Sequence, residues 1–260
     1  MSKVIICANQ KGGVAKTSTA INLGVGMVRN GHRVLIIDCD PQASCTVALG
    51  FQEPDNLEVT LTTVMEKILS FEEFDIEEGI LHNEEGVDIL PANIELAGAE
   101  LTLTSMAGSE RFLKEYTEKI GDRYDFIIVD CSPSLGRLTI SALVAADYVI
   151  IPCQAAFLPV KGLEQLLKTI TMTRMRLNPN LKILGILITM VNSQTVYGKE
   201  ITDLLNLVYG SHIHIFENQI PRTVRVEESS AEGVSIYKHA PKSSAALAYE
   251  ALTEEVLENV

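Results

Sequence analysis

Residues 11–17, with the sequence KGGVAKT, carry the residue types that bind phosphate. They follow the apolar run 4–8 and precede a helical pattern, so a strand leads into the loop and a helix begins directly after it. The glycines let the backbone approach phosphate oxygens, and the first N–H groups of the helix point at the same anion. Lys16 can reach terminal phosphates, and the Thr17 hydroxyl can ligate Mg²⁺. The stretch therefore predicts a phosphate-binding loop.

The loop departs from the strict P-loop pattern at one position. That pattern has glycine directly before the helical lysine, and Ala15 stands there instead. A second lysine, Lys11, precedes the glycine pair and gives the variant K-G-G-x-x-K-T. Gly12 and Gly13 still allow a close approach to phosphate, and a helical φ at Ala15 would favour the start of the helix, since alanine is the best helix former. We therefore expect phosphate binding to tolerate the alanine.

Two carboxylates, Asp38 and Asp40, follow the apolar run 34–37. In open α/β sheets, ligands bind at the carboxyl ends of the strands, so this pair has a position suited to a metal or a reacting water. A solvated acidic turn ahead of Pro41 is the alternative interpretation of the same residues.

A third carboxylate, Asp130, ends the apolar run 125–130. A buried strand that ends in aspartate is the pattern of a Walker B motif. Asp130 is therefore expected to hold Mg²⁺, through a water, alongside Thr17.

With these motifs the sequence resembles the deviant-Walker-A ATPases, the group of ParA, MinD, ArsA and NifH, and within it the Soj-type ParA partition proteins. The resemblance runs through nearly the whole chain and is carried by motifs near residues 9–17, 38–42 and 130–136. In the last of these, Ser132 replaces the first proline of the pattern D-x-P-P-S-L-G, which predicts a less rigid loop.

The resemblance implies a Mg²⁺-dependent ATPase with three catalytic side chains. Lys16 would hold the phosphates, and Asp40 would position the attacking water. Lys11 would cross a dimer interface to the partner's nucleotide and act in trans, in the manner of an arginine finger.

The resemblance also implies the groups that contact the metal and the nucleotide. Thr17, Asp38 and Asp130 are the residues expected around Mg²⁺, with Asp38 in its outer shell. The end of the run 183–192 and the segment 220–222 would flank the adenine, although a turn at the strand end is the alternative for Asn192. The residues expected to contact ATP are Lys11, Gly12, Gly13, Val14, Ala15, Lys16, Thr17, Ser18, Asn192, Pro221 and Arg222.

In the resembling family the position of Ala15 lies where two phosphate loops approach across the dimer. Two outcomes are open: the methyl group is accommodated, or it loosens the dimer and slows turnover. We expect ATP affinity to be unaffected and dimerisation to be mildly weakened, because crowding at such an interface is felt by both subunits.

The chain is acidic, with 21 Lys and Arg against 34 Asp and Glu, a net charge of −13 and a pI of about 4.8. Such a charge repels nucleic acid at long range, so DNA binding requires a local basic patch and should be weak and salt-sensitive. Arg222 and Arg225 motivate this expectation, with Lys238 and Lys242 as further candidates. Arg225 matches a basic position that the resembling proteins use for DNA, and Gln194 stands where they often have a second arginine.

Apolar runs of strand length alternate with helical patterns, which predicts an α/β fold with a doubly wound, mainly parallel sheet and helices on both faces. The 260 residues show no linker or internal repeat, so we expect one domain over 1–260. Strands are predicted at 4–8, 34–37, 87–91, 125–130, 148–151 and 183–192, and helices at 17–29, 94–103, 110–120, around 163–170 and at 243–257.

Five dispersed cysteines without a C-x-x-C pair predict buried, reduced thiols and count against an iron–sulfur relative. The apolar runs are too short to span a membrane, and residues 1–3 lead directly into a strand without a signal-peptide layout, so a cytoplasmic protein is expected. The terminal helix 243–257 lacks Lys and Arg, unlike a helix that binds anionic lipid, so membrane binding is not expected. We also expect no helix-turn-helix ahead of the first strand and hence no sequence-specific operator binding.

The resemblance as a whole implies an ATP-dependent homodimer that binds DNA non-specifically and works with a ParB-like partner in plasmid, chromosome or mobile-element partitioning. Two alternatives stay open. One is a nucleotide-switched adaptor with little or no turnover, which Ala15 suggests. The other is a MinD-like or polar-positioning switch that acts on membrane or protein.

Overall fold

The structure, a computed structural model, describes residues 2–155, 160–192 and 196–260. Within these ranges, seven strands form one sheet in the order β3-β4-β2-β5-β1-β6-β7. The strands are β1 (Lys3–Cys7), β2 (Val34–Cys39), β3 (Leu81–His82), β4 (Asp88–Leu90), β5 (Phe126–Cys131), β6 (Tyr148–Gln154) and β7 (Lys182–Thr189). The pairings are parallel except for β3 with β4, so the mainly parallel α/β sheet predicted from the sequence is confirmed.

Helices cover both faces of the sheet. They are α1 (Lys16–Arg29), α2 (Ser44–Ala48), α3 (Leu61–Leu69), α4 (Glu95–Ser105), α5 (Phe112–Ile120), α6 (Arg137–Ala145), α7 (Val160–Arg176), α8 (Val196–Tyr209), α9 (Val224–Glu232), α10 (Ile236–His239) and α11 (Ser244–Asn259). Helices α3 to α8 contribute to the hydrophobic core on one face, and α1, α2, α10 and α11 contribute to the core on the other. The doubly wound arrangement is therefore confirmed as well.

The central strands are apolar throughout because both of their faces are covered. In β1, Ile6 lies in the core of one face and its neighbour Ile5 in the core of the other, and both are fully buried. A strand of this kind reads as a continuous apolar run and not as an alternating one. Continuous apolar runs of this kind allowed β1, β2 and β5 to be predicted from the sequence.

Two strand ends differ from the prediction. Strand β7 ends at Thr189, three residues before the predicted Asn192, because Met190 adopts a left-handed φ of 54° that breaks the extended backbone. Strand β6 continues past its predicted end at Ile151, through Pro152 to Gln154. The last residue of β6 that pairs with β1 is Ile150, so the missing N–H of Pro152 is tolerated.

The five cysteines are free and buried, as predicted. Among the described residues, no helix has both the length and the apolar character needed to cross a lipid bilayer. The described residues also contain no group of three or more His, Cys, Asp or Glu side chains that could hold a metal ion.

Candidate functional site

The phosphate loop leaves the sheet at its centre. Cys7, the last residue of β1, is in register with Asp130 of β5 on one side and with Ile150 of β6 on the other. Loop residues 8–15 therefore emerge at the carboxyl edge between two neighbouring strands, with α1 beginning at Lys16. This is the strand, loop and helix order that the sequence predicted.

Polar side chains from neighbouring elements hold the loop in place. Asn9 donates from Nδ2 to the Pro152 carbonyl at 2.7 Å and accepts the Lys11 N–H at 3.0 Å. On β7, the buried Thr189 hydroxyl donates to the Val14 carbonyl at 3.1 Å. Sequence reasoning missed the roles of Asn9 and Thr189, and the only signal for Thr189 is a polar residue that ends a buried strand.

The two lysines of the loop occupy different surroundings. Lys16 is 7% exposed, and its Nζ lies 3.5 Å from the Lys11 carbonyl oxygen, so it points back over the loop. Lys11 is exposed, and its Nζ lies 3.4 Å from Oε1 of Gln154 at the end of β6. Lys16 is therefore available to an anion seated in the loop, and Lys11 to a group approaching from outside.

Ala15 has φ 65° and ψ 33°, a left-handed conformation. The helical φ that would favour the start of the helix is not present, although the Ala15 carbonyl still accepts the first helical hydrogen bond, from Thr19 N–H at 2.9 Å. An L-residue pays about 1–2 kcal/mol for this conformation, and glycine does not. Ala15 is thus a strained residue inside the phosphate loop.

Substituting glycine for Ala15 is expected to leave ATP affinity unchanged and to keep or strengthen dimerisation. Relief of the left-handed strain, less the greater unfolded-state entropy of glycine, should raise the free energy of unfolding by up to about 1 kcal/mol. Nucleotide titration, sedimentation velocity and urea unfolding measure the three quantities. Ala20→Gly in the helical part of α1 is the control and should lose about 1 kcal/mol. A large loss of ATP binding in Ala15→Gly would show that the alanine shapes the loop.

Thr17 and Asp130 form the part of the site that fits a metal ion. The Thr17 hydroxyl donates to Oδ2 of Asp130 at 2.6 Å, and Oδ1 of Asp130 is buried without a hydrogen-bond partner. Burial and the charge of Asp38 raise the pKa of Asp130 to about 8, against the opposing effects of Thr17 and Lys16. A buried carboxylate with an unpaired oxygen beside a hydroxyl is an oxygen donor set suited to Mg²⁺.

The raised pKa of Asp130 predicts a pH-dependent stability of the metal-free protein. Its pKa of about 8 in the folded state lies above its ordinary value of 3.8, so the folded chain holds this proton more tightly than the unfolded chain. The stabilising contribution is present below about pH 4 and is lost as the pH rises towards 8.

Asp130→Asn should therefore raise the free energy of unfolding at pH 8 and flatten its decline between pH 4 and 8 when no metal or nucleotide is added. Urea unfolding of both proteins across this range provides the measurement. The same variant should lose stabilisation by Mg²⁺ with nucleotide. An identical pH slope in the two proteins would refute the prediction.

Asp38 lies beside Asp130 in the register of β2 and β5 and is fully buried. Its Oδ2 accepts the N–H and the hydroxyl of Thr46 at 2.9 and 2.7 Å, and its Oδ1 accepts the Asp40 N–H at 3.2 Å. Burial raises the pKa of Asp38 to about 6. These bonds make Asp38 an anchor of the loop that carries Asp40, a role that sequence reasoning missed together with its partner Thr46.

Asp40 is half-buried at the same edge of the sheet. Its Oδ1 accepts the Gln42 N–H at 3.0 Å, which sets the direction of the carboxylate. The pair Asp38 and Asp40 is therefore not a solvated acidic turn: the first residue is buried, and the second is held by it.

The segments expected around the base come together. The N–H of Val191 donates to the Ile220 carbonyl at 3.0 Å, and the N–H of Arg222 donates to the Val191 carbonyl at 2.9 Å. Pro221 forms a bridge with Val191, the residue before Asn192. The chain around 220–222 thus runs alongside the end of β7, two residues from the Thr189 that holds the phosphate loop. Gln194 lies outside the described residues.

Three of the candidate DNA-binding residues lie in α9, α10 and the segment after them, and Arg222 precedes α9. Arg225 pairs with Glu228 at 2.9 Å and Lys238 with Glu84 at 3.2 Å, and Lys242 is exposed. Carboxylates thus accompany Arg225 and Lys238.

Comparison with known proteins identifies a matching family model and similar proteins. A family model described as "AAA domain" matches residues 2–183. The chain is 38% identical over 259 residues to the sporulation initiation inhibitor protein Soj of Bacillus subtilis, covering 100% of each chain. It is 40% identical over 256 residues to the chromosome-partitioning ATPase Soj of Thermus thermophilus, covering 98% of this chain and 96% of that one.

Among solved structures, the chain is similar to cobyrinic acid a,c-diamide synthase from Mycobacterium smegmatis with bound ADP and magnesium. The TM-score is 0.86 at 36% identity, with 99% of this chain and 95% of that chain covered. The range matched by the family model contains the loop, Thr17 and Asp130.

Proposed function

This chain belongs to the ParA/Soj family of P-loop ATPases, and we propose that it is an ATP-driven switch for DNA partitioning. In the proposal, Mg-ATP brings two copies together face to face, the dimer binds DNA non-specifically, and a ParB-like partner acts on the ATP-bound form. The observation that carries the proposal is the phosphate loop beside the paired Thr17 and Asp130, at one carboxyl edge of the sheet.

Binding begins with the phosphates. The loop backbone and the start of α1 supply N–H groups, and the buried Lys16 supplies a positive charge next to them. Gly13 has φ 67°, and an added Cβ there would meet nothing within 4 Å, so the backbone is open on that side. These features support a site for a nucleoside triphosphate.

Thr17 and Asp130 are the residues that would hold Mg²⁺, with Asp38 behind them. A bound Mg²⁺ neutralises phosphate charge during transfer. The unpaired Oδ1 of Asp130 gives this assignment its support from the geometry. The magnesium- and ADP-bound state of the Mycobacterium smegmatis structure is consistent with the assignment.

Hydrolysis requires a water in line with the terminal phosphate. Asp40 is the carboxylate at this edge that remains partly open to solvent, and we assign to it the orientation of that water. Lys11 lies on the outside of the loop and is assigned to the nucleotide of the second copy. In this arrangement hydrolysis depends on dimer formation.

DNA binding should depend on ATP and be weak, because the cations are few and lie among carboxylates on a chain of net charge −13. Arg225→Ala should weaken binding to any DNA sequence and reduce the salt slope by about 1. Fluorescence anisotropy against salt concentration measures both quantities. Lys182→Ala, at the opposite edge of the sheet, is the control. Sequence-selective loss in Arg225→Ala would contradict non-specific binding.

A steady-state ATPase assay with and without DNA tests the proposal, together with sedimentation velocity in ATP and in ADP. We expect magnesium-dependent hydrolysis and a dimer with ATP only. The strained Ala15 favours the second candidate, a nucleotide-switched adaptor, which predicts ATP-dependent dimers without hydrolysis above background.

A further inference from the structure

Helix α6 starts directly after the loop 132–136 that follows Asp130, and its first turn is capped from another helix. Gly136 is the N-cap residue and has no side chain to offer. Oε1 of Glu100, from α4, accepts the N–H of Leu138 at 3.3 Å. A carboxylate at a helix start satisfies an otherwise unpaired N–H and interacts favourably with the helix dipole.

The glycine at 136 is explained by this carboxylate. Gly136 has φ −73° and ψ −172°, an extended conformation open to any residue. A Cβ added there would overlap Oε1 of Glu100 and lie 3.0 Å from its Cδ. The Cβ would also lie 3.3 Å from Oγ of Ser134, so the absence of a side chain leaves room for Glu100 and for this hydroxyl and serves no backbone requirement.

Hydrogen bonds connect α6 to the loop that follows β5, the strand that carries Asp130. Ser134 accepts the Gly136 N–H on Oγ at 3.3 Å, its carbonyl accepts the Thr139 hydroxyl at 2.8 Å, and its Oγ lies 3.0 Å from Oγ of Ser132. Ser132 is buried and is two residues from Asp130. A shift at the start of α6 therefore reaches the loop next to the expected metal.

Helix α4, which carries Glu100, is held in place by buried side chains. Leu96, Ala99 and Leu103 of this helix lie in the hydrophobic core. Just before the helix, the Ala92 N–H donates at 3.2 Å to the Thr46 hydroxyl, which in turn donates to Asp38. Asp38 is thus connected through Thr46 and Ala92 to the start of α4, and α4 is connected through Glu100 to α6. These contacts link the loop that follows β2 to the loop that follows β5.

We propose that Glu100 is a positioning residue of the ATPase, which holds the loop 132–136 in the arrangement that hydrolysis requires. The inference rests on the proposed ATPase function. Its role is indirect, because Glu100 reaches the site through α6 and the loop. Turnover should therefore change more than ATP binding.

Four variants test the role. Glu100→Ala removes the acceptor, and Gly136→Ala displaces the carboxylate while leaving it in the chain; each should lower kcat about tenfold or more with KM for ATP within about twofold. Glu100→Gln keeps the shape with a weaker acceptor and should lie between them and the wild type. The double variant Glu100→Ala with Gly136→Ala should be no worse than Glu100→Ala alone. Glu95→Gln on the exposed face of α4 is the control.

Hydrogen exchange of the loop 132–136 and the start of α6, measured with ADP, gives a readout that does not need turnover. Exchange should be faster in Glu100→Ala and Gly136→Ala than in the wild type. Wild-type kcat with unchanged exchange in Glu100→Ala, or additive losses in the double variant, would overturn the inference. A wild type without hydrolysis would defeat the proposed function, and the exchange measurement would still decide the role of Glu100.

Discussion

Lys16→Ala is expected to lower ATP affinity by about 100-fold or more. The buried ammonium is the positive charge inside the phosphate loop, and hydrogen bonds from a charged donor to phosphate contribute about 1.5–3 kcal/mol each. The loss should be larger with Mg²⁺, because Lys16 also lowers the pKa of Asp130 and its removal leaves that carboxyl more readily protonated. Titration with a fluorescent ATP analogue, with and without Mg²⁺, measures the affinity.

Lys11→Ala is the matched control on the same loop. Its side chain is exposed and lies near Gln154, so affinity of the monomer for ATP should stay within about threefold of the wild type. Dimer formation with ATP and hydrolysis should both be lost. If the two alanine variants lost affinity equally, the role of Lys11 in trans would have to be abandoned.

Asp40→Ala is expected to lower kcat by about 100-fold or more while ATP affinity is retained, since correct handling of the attacking water contributes about 10²–10⁴ to the rate. The variant should therefore accumulate as an ATP-bound dimer. Single-turnover hydrolysis and sedimentation velocity in ATP check the two parts.

Asp40→Asn keeps the shape and removes the charge, and it should be equally slow. Asp122→Asn removes an exposed charge from the opposite edge of the sheet and should behave as the wild type. Normal turnover in Asp40→Asn would exclude the assignment of this carboxylate to the water.

The sequence allowed the sheet and the phosphate loop to be predicted, because both follow local patterns. Buried parallel strands such as β1 and β5 are continuous apolar runs, and the loop has a fixed order of glycines and lysines. Short helices such as α2 and α10 carry too few residues for a periodic signal.

The supporting residues of the site could not be predicted in this way. Thr189 acts on Val14 across 175 positions of sequence, and Glu100 acts on Leu138 across 38. Such contacts depend on which helices and strands become neighbours in the fold. A single threonine or glutamate forms no sequence pattern from which these contacts could be predicted.

The backbone conformation of Ala15 does not follow the local propensity of alanine. Alanine favours helical φ, yet the loop fixes φ at 65° because Val14 is held by Thr189 on one side and α1 starts on the other. Tertiary anchoring of the loop outweighs a preference worth about 1–2 kcal/mol.

Co-sedimentation with mixed-sequence DNA and with anionic liposomes, each in ATP, in ADP and without nucleotide, tests the central claim most directly. The account predicts that the protein pellets with DNA only in ATP, that this binding is steeply lost as salt is raised, and that liposomes recover no protein in any nucleotide state. Tight DNA binding at physiological salt without nucleotide, or ATP-dependent recovery on liposomes in place of DNA, would contradict it.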